Sequence, residues 1–225
     1  MIRYIRFPYR IRRYHFIEEM KELFWGGKLI PQRLQELHYK LDKSYDELFE
    51  VGKDSVTNLH SKFYDKYRTG WPEMESIYQK FISEVVARQF DEDFLYQSFP
   101  NVRFCIPMNV AVGHYHNDME FGHPEGEINF IIPLTDSNDT ASIYVESEPG
   151  KKDFLPMKLR IGELIMFDGN HLTHGNERNL TGSTRVSLDF RVLPISKYDE
   201  SAAKESVTMK TKYVEGQYYK RFKKV

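Results

Sequence analysis

The stretch TRVSLDFRV, residues 184–192, alternates strictly between apolar and polar side chains. In a β-strand such alternation places one set on each face. The two sets are Val186, Leu188, Phe190 and Val192, and Arg185, Ser187, Asp189 and Arg191. The stretch therefore predicts a strand with one face in an apolar core and the other towards a polar space.

Other segments after Pro100 share this period of two. They are RFCIPMNV (103–110), EINFII (127–132) and SIYVE (142–146), separated by turn-rich pieces such as TDSNDT (135–140) and ESEPGKKD (146–153). Several short alternating strands with turn signals between them favour a sandwich or barrel. We expect polar faces to line a cavity between two sheets, because a polar interior is costly unless it binds something.

Residues before position 100 follow a helical period instead. One apolar stripe starts after Pro31 and another after Pro72, where proline can open a helix. Their members are Leu34, Leu37, Leu41, Tyr45, Leu48 and Phe49, and Met74, Ile77, Tyr78, Phe81, Ile82, Val85 and Val86. We expect an α+β fold whose double-stranded β-helix (jelly-roll or cupin-like) core carries this helical layer on one sheet.

The length of 225 residues suits a single domain. Within 1–225 we expect a mainly helical scaffold over 1–99, the catalytic core over 100–195 and a polar C-terminal extension over 196–225. The extension is expected to be solvated or to form a docked helix. The arginine-rich start is expected to be a surface strand or arm packed by Ile2, Tyr4, Ile5 and Phe7, with a transit peptide as the alternative.

The net charge of −1 gives no basic field that would recruit nucleic acid or a membrane surface. No apolar run approaches the roughly 20 residues of a membrane helix. Cys105 is the only cysteine, which excludes an internal disulfide and suits a cytoplasmic location. We therefore expect a cytoplasmic protein whose partner is a small molecule.

A metal site is predicted by His116, Asp118 and a later histidine. Residues two apart on a strand face the same way, so His116 and Asp118 can reach one ion. His174 is preferred to His171 as the third ligand, because it precedes Arg185 by eleven residues at the end of its segment. Two imidazoles and one carboxylate leave positions open and suit a non-haem Fe(II) oxygenase.

A cupin-like metal enzyme, such as an isomerase or a dioxygenase that needs no keto acid, is the alternative. It would use His114, His116, Glu120 and a later histidine, and would leave Asp118, Arg185 and Ser187 without roles. A non-catalytic sensor that retains the site is a third hypothesis, and the sequence does not separate it from an enzyme.

Arg185 and Ser187 offer a fork of N–H donors and a hydroxyl to a carboxylate. The order His116-Asn-Asp118, His174, Arg185-Val-Ser187 resembles that of the Fe(II)- and 2-oxoglutarate-dependent dioxygenases. The pieces GHYHNDMEFGHPEGEINFIIPLT, GELIMFDGNHLTHGN and TRVSLDFRV resemble the StrG-like branch, which is named from streptomycin biosynthesis and is associated with carbohydrate and antibiotic pathways. The resemblance covers about residues 100–195.

This resemblance implies Fe(II), 2-oxoglutarate as co-substrate and O2. Arg185 would pair with the far carboxylate of 2-oxoglutarate and Ser187 would donate to it, while Asn129 and Tyr144 would add contacts. Hydroxylation with release of succinate and CO2, or desaturation or epimerisation, is implied over halogenation, because Asp118 fills the position that halogenases leave for halide.

The polar lining favours a small hydrophilic substrate such as a sugar, a cyclitol or a sugar derivative. The candidate substrate contacts are Asp189, Arg191, Arg103 and His123. A mutual salt bridge is the alternative role of Asp189 and Arg191.

Overall fold

The computed structural model describes residues 4–43, 57–111, 114–206 and 210–224. Three α-helices lie in the first half of the chain: α1 (Phe16–Trp25), α2 (Asn58–Thr69) and α3 (Pro72–Glu84). The stripe that follows Pro72 is confirmed as α3, with the proline in its first turn. The stripe from Leu34 forms a 3-10 helix only over Leu34–Lys40. Its predicted members Tyr45, Leu48 and Phe49 lie outside the described residues.

Within the described residues, ten strands form two antiparallel sheets. The strands are β1 (Ile5–Pro8), β2 (Phe94–Gln97), β3 (Asn101–Cys105), β4 (Ile128–Pro133), β5 (Ile143–Val145), β6 (Leu155–Met157), β7 (Glu163–Phe167), β8 (His174–Asn176), β9 (Arg185–Pro194) and β10 (Tyr219–Phe222). The larger sheet has the order β1-β7-β4-β9-β2-β10, with β3 also paired to β9, and the smaller sheet has the order β6-β5-β8. The predicted α+β class with antiparallel sheets is confirmed.

Strand β9 lies at the centre of the larger sheet, and its side chains point alternately to the two faces of that sheet. Its apolar side chains pack with the three α-helices in one core, where the ring centroids of Phe190 and Tyr78 lie 5.4 Å apart. Phe190 also stacks on Phe130 of β4 at 5.3 Å. The helical layer therefore covers the apolar face of this sheet, as the alternation in 184–192 predicts.

The opposite face of the larger sheet meets the smaller sheet. A second core joins Ile131 and Ile165 of the larger sheet to Val145 and Met157 of the smaller one. A cavity between the sheets is lined from the larger sheet by Arg185, Ser187 and other polar residues, and from the smaller sheet by Ile143 and His174. The expected cavity between two sheets is present.

The smaller sheet does not follow the expected orientation. Ile143 lines the cavity and Val145 is in the apolar core between the sheets, so Tyr144 between them points away. The polar-inward arrangement therefore holds for β9 but is wrong for β5. The reason is that the described helices pack on the larger sheet, so β5 turns its apolar face towards the larger sheet instead.

The chain termini contribute more strand than expected. β1 pairs with β7, in keeping with the predicted surface strand near the N-terminus, although Ile2 lies outside the described residues. β10 pairs with β2, and Tyr213, Tyr218 and Tyr219 are buried with it. The expectation of a solvated extension or docked helix over 196–225 is thus wrong for this segment. The many lysines around these tyrosines make the segment look polar in the sequence. Among the described residues, no helix is long and apolar enough to cross a membrane.

Candidate metal centre

Backbone pairing brings the two candidate ligand histidines together. The amide of His116 donates to the carbonyl of His174 at 3.0 Å, and the amide of His174 donates back at 2.8 Å. The ring centroids lie 4.7 Å apart. Asp118 follows two residues after His116, at the start of a short 3-10 turn that is capped by Asn117. One possible ligand atom from each of His116, Asp118 and His174 lies within 4.8 Å of the others.

Hydrogen bonds to carbonyl groups fix the orientation of both imidazoles. Nδ1 of His116 lies 2.8 Å from the carbonyl oxygen of His114, and Nδ1 of His174 lies 3.0 Å from that of Leu172. Since a carbonyl can only accept, each Nδ1 donates, and in a neutral imidazole with this tautomer Nε2 carries the lone pair. The two Nε2 atoms lie 3.8 and 3.9 Å from Oδ1 of Asp118. All three ligand atoms thus face a common point.

The carboxylate of Asp118 is held from its other side. Its Oδ2 accepts hydrogen bonds from Nδ2 of Asn129 at 2.7 Å and from Nε of Arg191 at 2.8 Å. Burial raises the pKa of Asp118, but the positive charge and hydrogen bond of Arg191 outweigh burial and hold that pKa well below its usual range. Burial also lowers the pKa of His174, which favours the neutral imidazole. Two neutral imidazoles and an ionised carboxylate are a donor set that fits Fe(II).

Arg185 and Ser187 line the same cavity as His116 and His174. Arg185 is 2% exposed, and its Nη1 donates to the carbonyl of Ala141 at 3.1 Å. Ser187 is 1% exposed, and its hydroxyl has no hydrogen-bond partner among the described residues. A buried hydroxyl without a partner is costly, and a ligand oxygen would remove that cost. The cavity thus offers a guanidinium and a hydroxyl beside a metal-competent triad.

Asp189, Arg191 and Arg103 form a chain of ion pairs along one wall of the cavity. Nε of Arg103 lies 2.7 Å from Oδ1 of Asp189, and Nη1 of Arg191 lies 3.5 Å from its Oδ2. Arg191 also pairs with Asp118, which extends this series of ion pairs to the metal-ligand candidates. The mutual salt bridge foreseen for Asp189 and Arg191 is therefore present, and all three side chains also line the cavity.

Two expected site residues are not brought to this cavity. The Tyr144 hydroxyl lies 3.4 Å from the carbonyl oxygen of Asp139, so its predicted contact with the co-substrate is wrong for this arrangement. Nδ1 of His123 lies 2.6 Å from Oε2 of Glu127 in a separate buried group. Glu127 also accepts a hydrogen bond from Tyr219 of β10. The ring of His123 is directed to that group and does not line the cavity, so its contact with the substrate stays a prediction.

The other candidate ligands near the triad in sequence, His171, His114 and Glu120, lie apart from it in the structure. His171 is paired with Asp168, with Nδ1 and Oδ2 2.8 Å apart. His114 and Glu120 are exposed, and the side chain of Glu120 accepts from Asn117. Among the described residues, the group that could hold a metal contains neither of them. The preference for His174 agrees with this geometry, whereas the cupin-like ligand set is not assembled.

Sequence reasoning missed two features of the cavity. Asn129 was expected to touch the co-substrate, whereas its amide holds the Asp118 carboxylate. Asn176 lines the cavity two residues after His174 on β8. The period of two, counted on from His174, would have found Asn176. No sequence signal pairs Asn129 with Asp118, because their contact depends on where a turn meets a strand.

Comparison with known proteins finds a relative by sequence. The chain is 32% identical over 166 residues to the streptomycin biosynthesis protein StrG of Streptomyces griseus, a match that covers 74% of this chain and 77% of that protein. No family model matches the chain.

Solved structures show lower identity. EctD from S. alaskensis, with 2-oxoglutarate and 5-hydroxyectoine, is 13% identical at a TM-score of 0.48, over 88% of this chain and 74% of that one. SnoN, a non-haem alpha-ketoglutarate-dependent epimerase from nogalamycin biosynthesis, is 13% identical at a TM-score of 0.45, over 85% and 78%. The sequence match to StrG covers most of this chain and most of StrG. The chain therefore belongs to the family of the streptomycin biosynthesis protein StrG.

Proposed function

We propose that this protein is an Fe(II)- and 2-oxoglutarate-dependent oxygenase that hydroxylates a small polar, carbohydrate-like metabolite. One observation carries the proposal: a metal-competent triad and a buried arginine–serine pair share a single cavity between two sheets. We further propose that the two sheets are a double-stranded β-helix and that the whole of 1–225 acts as one domain. A cytoplasmic location stays a prediction.

In this proposal Nε2 of His116, Nε2 of His174 and Oδ1 of Asp118 bind Fe(II). Because Oδ2 of Asp118 already accepts hydrogen bonds from Arg191 and Asn129, Oδ1 is the oxygen that would bind the ion. The chemistry that Fe(II) and 2-oxoglutarate supply when bound is activation of O2 for C–H hydroxylation, with succinate and CO2 as products.

Arg185 and Ser187 then bind the far carboxylate of 2-oxoglutarate. A guanidinium pairs with both oxygens of a carboxylate, and burial strengthens the pair because little water screens it. Ser187 is two residues away on the same face of β9, so its hydroxyl can donate to the same group. The two side chains would thereby orient the co-substrate in the cavity.

The polar side chains of the cavity favour a hydrophilic substrate. Arg103 is the most exposed member of the ion-pair chain, with a side chain that is 34% exposed against 16% for Asp189 and 8% for Arg191. It is therefore the member best placed to meet an incoming molecule. The relation to StrG, named for streptomycin biosynthesis, supports a carbohydrate-like substrate.

The test measures succinate formed from 2-oxoglutarate by the Fe(II)-loaded protein in air, with candidate sugars and cyclitols. We expect substrate-dependent succinate release that Asp118→Ala abolishes while the far-ultraviolet circular dichroism stays unchanged. Retained turnover in Asp118→Ala would refute the metal assignment. Iron and keto-acid binding without succinate release for any substrate would favour a non-catalytic sensor instead.

A further inference from the structure

A second cavity lies beside the catalytic one and is much larger. It has a volume of about 310 Å³, against about 60 Å³ for the cavity between the sheets. A metal and its co-substrate would take up much of the smaller space, and the larger cavity offers room for a further part of the prime substrate. The second cavity lies where β2 turns into β3, between α2 and the segment before β10.

One aspartate is contacted from both cavities. Asn101 lines the second cavity and its Nδ2 lies 3.3 Å from Oδ2 of Asp189, while Arg103 lines the catalytic cavity and contacts Oδ1 of Asp189 at 2.7 Å. Asn101 and Arg103 are two residues apart on β3, which places them on one face at a spacing of roughly 7 Å. Asp189 and its two partners on β3 therefore mark where the two cavities adjoin.

The floor of the second cavity carries a buried hydrogen-bond donor. Gln97 is 2% exposed, its Oε1 accepts from the Tyr218 hydroxyl at 2.9 Å, and its Nε2 has no partner among the described residues. Because Tyr96 packs in the helix-side core, Gln97 points to the opposite sheet face, the face of Asp189 and Arg191. An oxygen of a ligand would satisfy this amide.

The walls of the second cavity are aromatic and almost uncharged. Tyr67 of α2 stacks on Phe99 with ring centroids 3.8 Å apart, and Tyr64 and Tyr218 complete the aromatic lining. Among the described lining residues only Arg68 is charged, and it pairs with Asp65. A pyranose has a face of C–H groups that packs on aromatic rings and a rim of hydroxyls that hydrogen-bond, so it matches an apolar pocket with a few polar groups.

We propose that the second cavity binds a neutral, hydroxylated six-membered ring at the far end of the prime substrate, while the reacting end lies at the metal. This inference rests on the proposed function for its assignment to the substrate. It makes the substrate a molecule of at least two joined units, with its remote ring against Tyr67 and its ring or ether oxygen at Nε2 of Gln97.

Saturation-transfer NMR on the full chain without added metal tests this subsite, with methyl β-D-glucopyranoside as the probe. We expect saturation transfer to the ring protons of the sugar and a Kd at least fivefold weaker in Gln97→Leu and in Tyr67→Ala. Gln97→Leu also removes the acceptor of the Tyr218 hydroxyl, so Tyr67→Ala is the second variant, which keeps that hydrogen bond. Tyr39→Ala, at a tyrosine that is 79% exposed and outside the cavity, is the matched control.

Loss of the signal in both cavity variants but not in Tyr39→Ala supports the subsite. No signal from the wild-type protein, or equal affinity in all four proteins, overturns it. Because the sugar is measured without metal, a failure of the wild-type protein to bind Fe(II) and 2-oxoglutarate in a separate titration would count against the proposed function alone.

Discussion

Nε of Arg191 donates a hydrogen bond to Oδ2 of Asp118 at 2.8 Å, with both side chains almost fully buried. Asn129 donates to the same oxygen, so only Oδ1 of the carboxylate faces the two histidines. The geometry of the candidate metal centre therefore depends on a residue of the central strand β9 that contacts neither histidine. Removing this partner should change metal binding without removing a ligand.

Arg191→Met should weaken Fe(II) binding by about 10- to 100-fold, the usual cost of losing a group that orients a ligand. Arg191→Lys restores the charge without the planar guanidinium and should recover part of the affinity. An anaerobic titration with Fe(II) measures both. Arg103→Met is the control, since Arg103 contacts Asp189 and not Asp118. Equal Fe(II) affinity in Arg191→Met and the wild-type protein would show that Asn129 alone suffices.

Arg185→Ala should weaken 2-oxoglutarate binding by about 2–5 kcal/mol, as expected when a buried charge pair loses one partner. Ser187→Ala removes one hydrogen bond and should cost about 0.5–1.5 kcal/mol. Arg185→Lys should stay weak, because an ammonium cannot pair with both carboxylate oxygens. Isothermal titration of the metal-loaded protein gives the three affinities. If Ser187→Ala cost as much as Arg185→Ala, the assignment of Arg185 as the main anchor would be wrong.

The stability of the fold should fall as the pH falls below about 6.5. Burial, with a smaller effect from the charge of Arg103, lowers the pKa of His60 from 6.5 to about 3. Between these two values the unfolded chain binds a proton at His60 that the folded chain does not, so lowering the pH favours unfolding. The slope contributed by His60 is at most about 1.4 kcal/mol per pH unit.

The check is urea denaturation of the wild-type protein and of His60→Gln between pH 7 and 4. His60→Gln should be less stable at pH 7, because Thr57 and Phe104 lose the imidazole that they contact. Its free energy of unfolding should also change less with pH than that of the wild-type protein. Parallel pH dependences in the two proteins would mean that His60 is protonated in the folded state.

The strand β9 and the metal triad could be predicted because each depends on local periodicity. Strict alternation over 184–192 fixes which side chains share a face, and a spacing of two brings His116 and Asp118 to one side. Tyr144 shows the limit of that reasoning. Alternation defines the two faces of β5 but does not say which one meets the larger sheet. That orientation depends on how other parts of the chain pack against the two sheets.

The contacts that determine the second cavity and the C-terminal strand join distant parts of the chain. Gln97 bonds to Tyr218, 121 residues away, and Glu127 accepts a hydrogen bond from Tyr219. Neither pair has a spacing that periodicity can detect. The lysine-rich composition around Tyr218 and Tyr219 also predicts solvation, whereas both tyrosine side chains are buried and β10 pairs with β2.

The most direct test of the central claim is an anaerobic visible spectrum of the protein with Fe(II), before and after 2-oxoglutarate is added. We expect a new charge-transfer band in the wild-type protein and in His114→Ala, since His114 is exposed and outside the triad. The band should be absent from Asp118→Ala and should need much more 2-oxoglutarate in Arg185→Ala. A protein that binds iron without this band, or that loses its iron in His114→Ala, would contradict the account and favour the cupin-like ligand set.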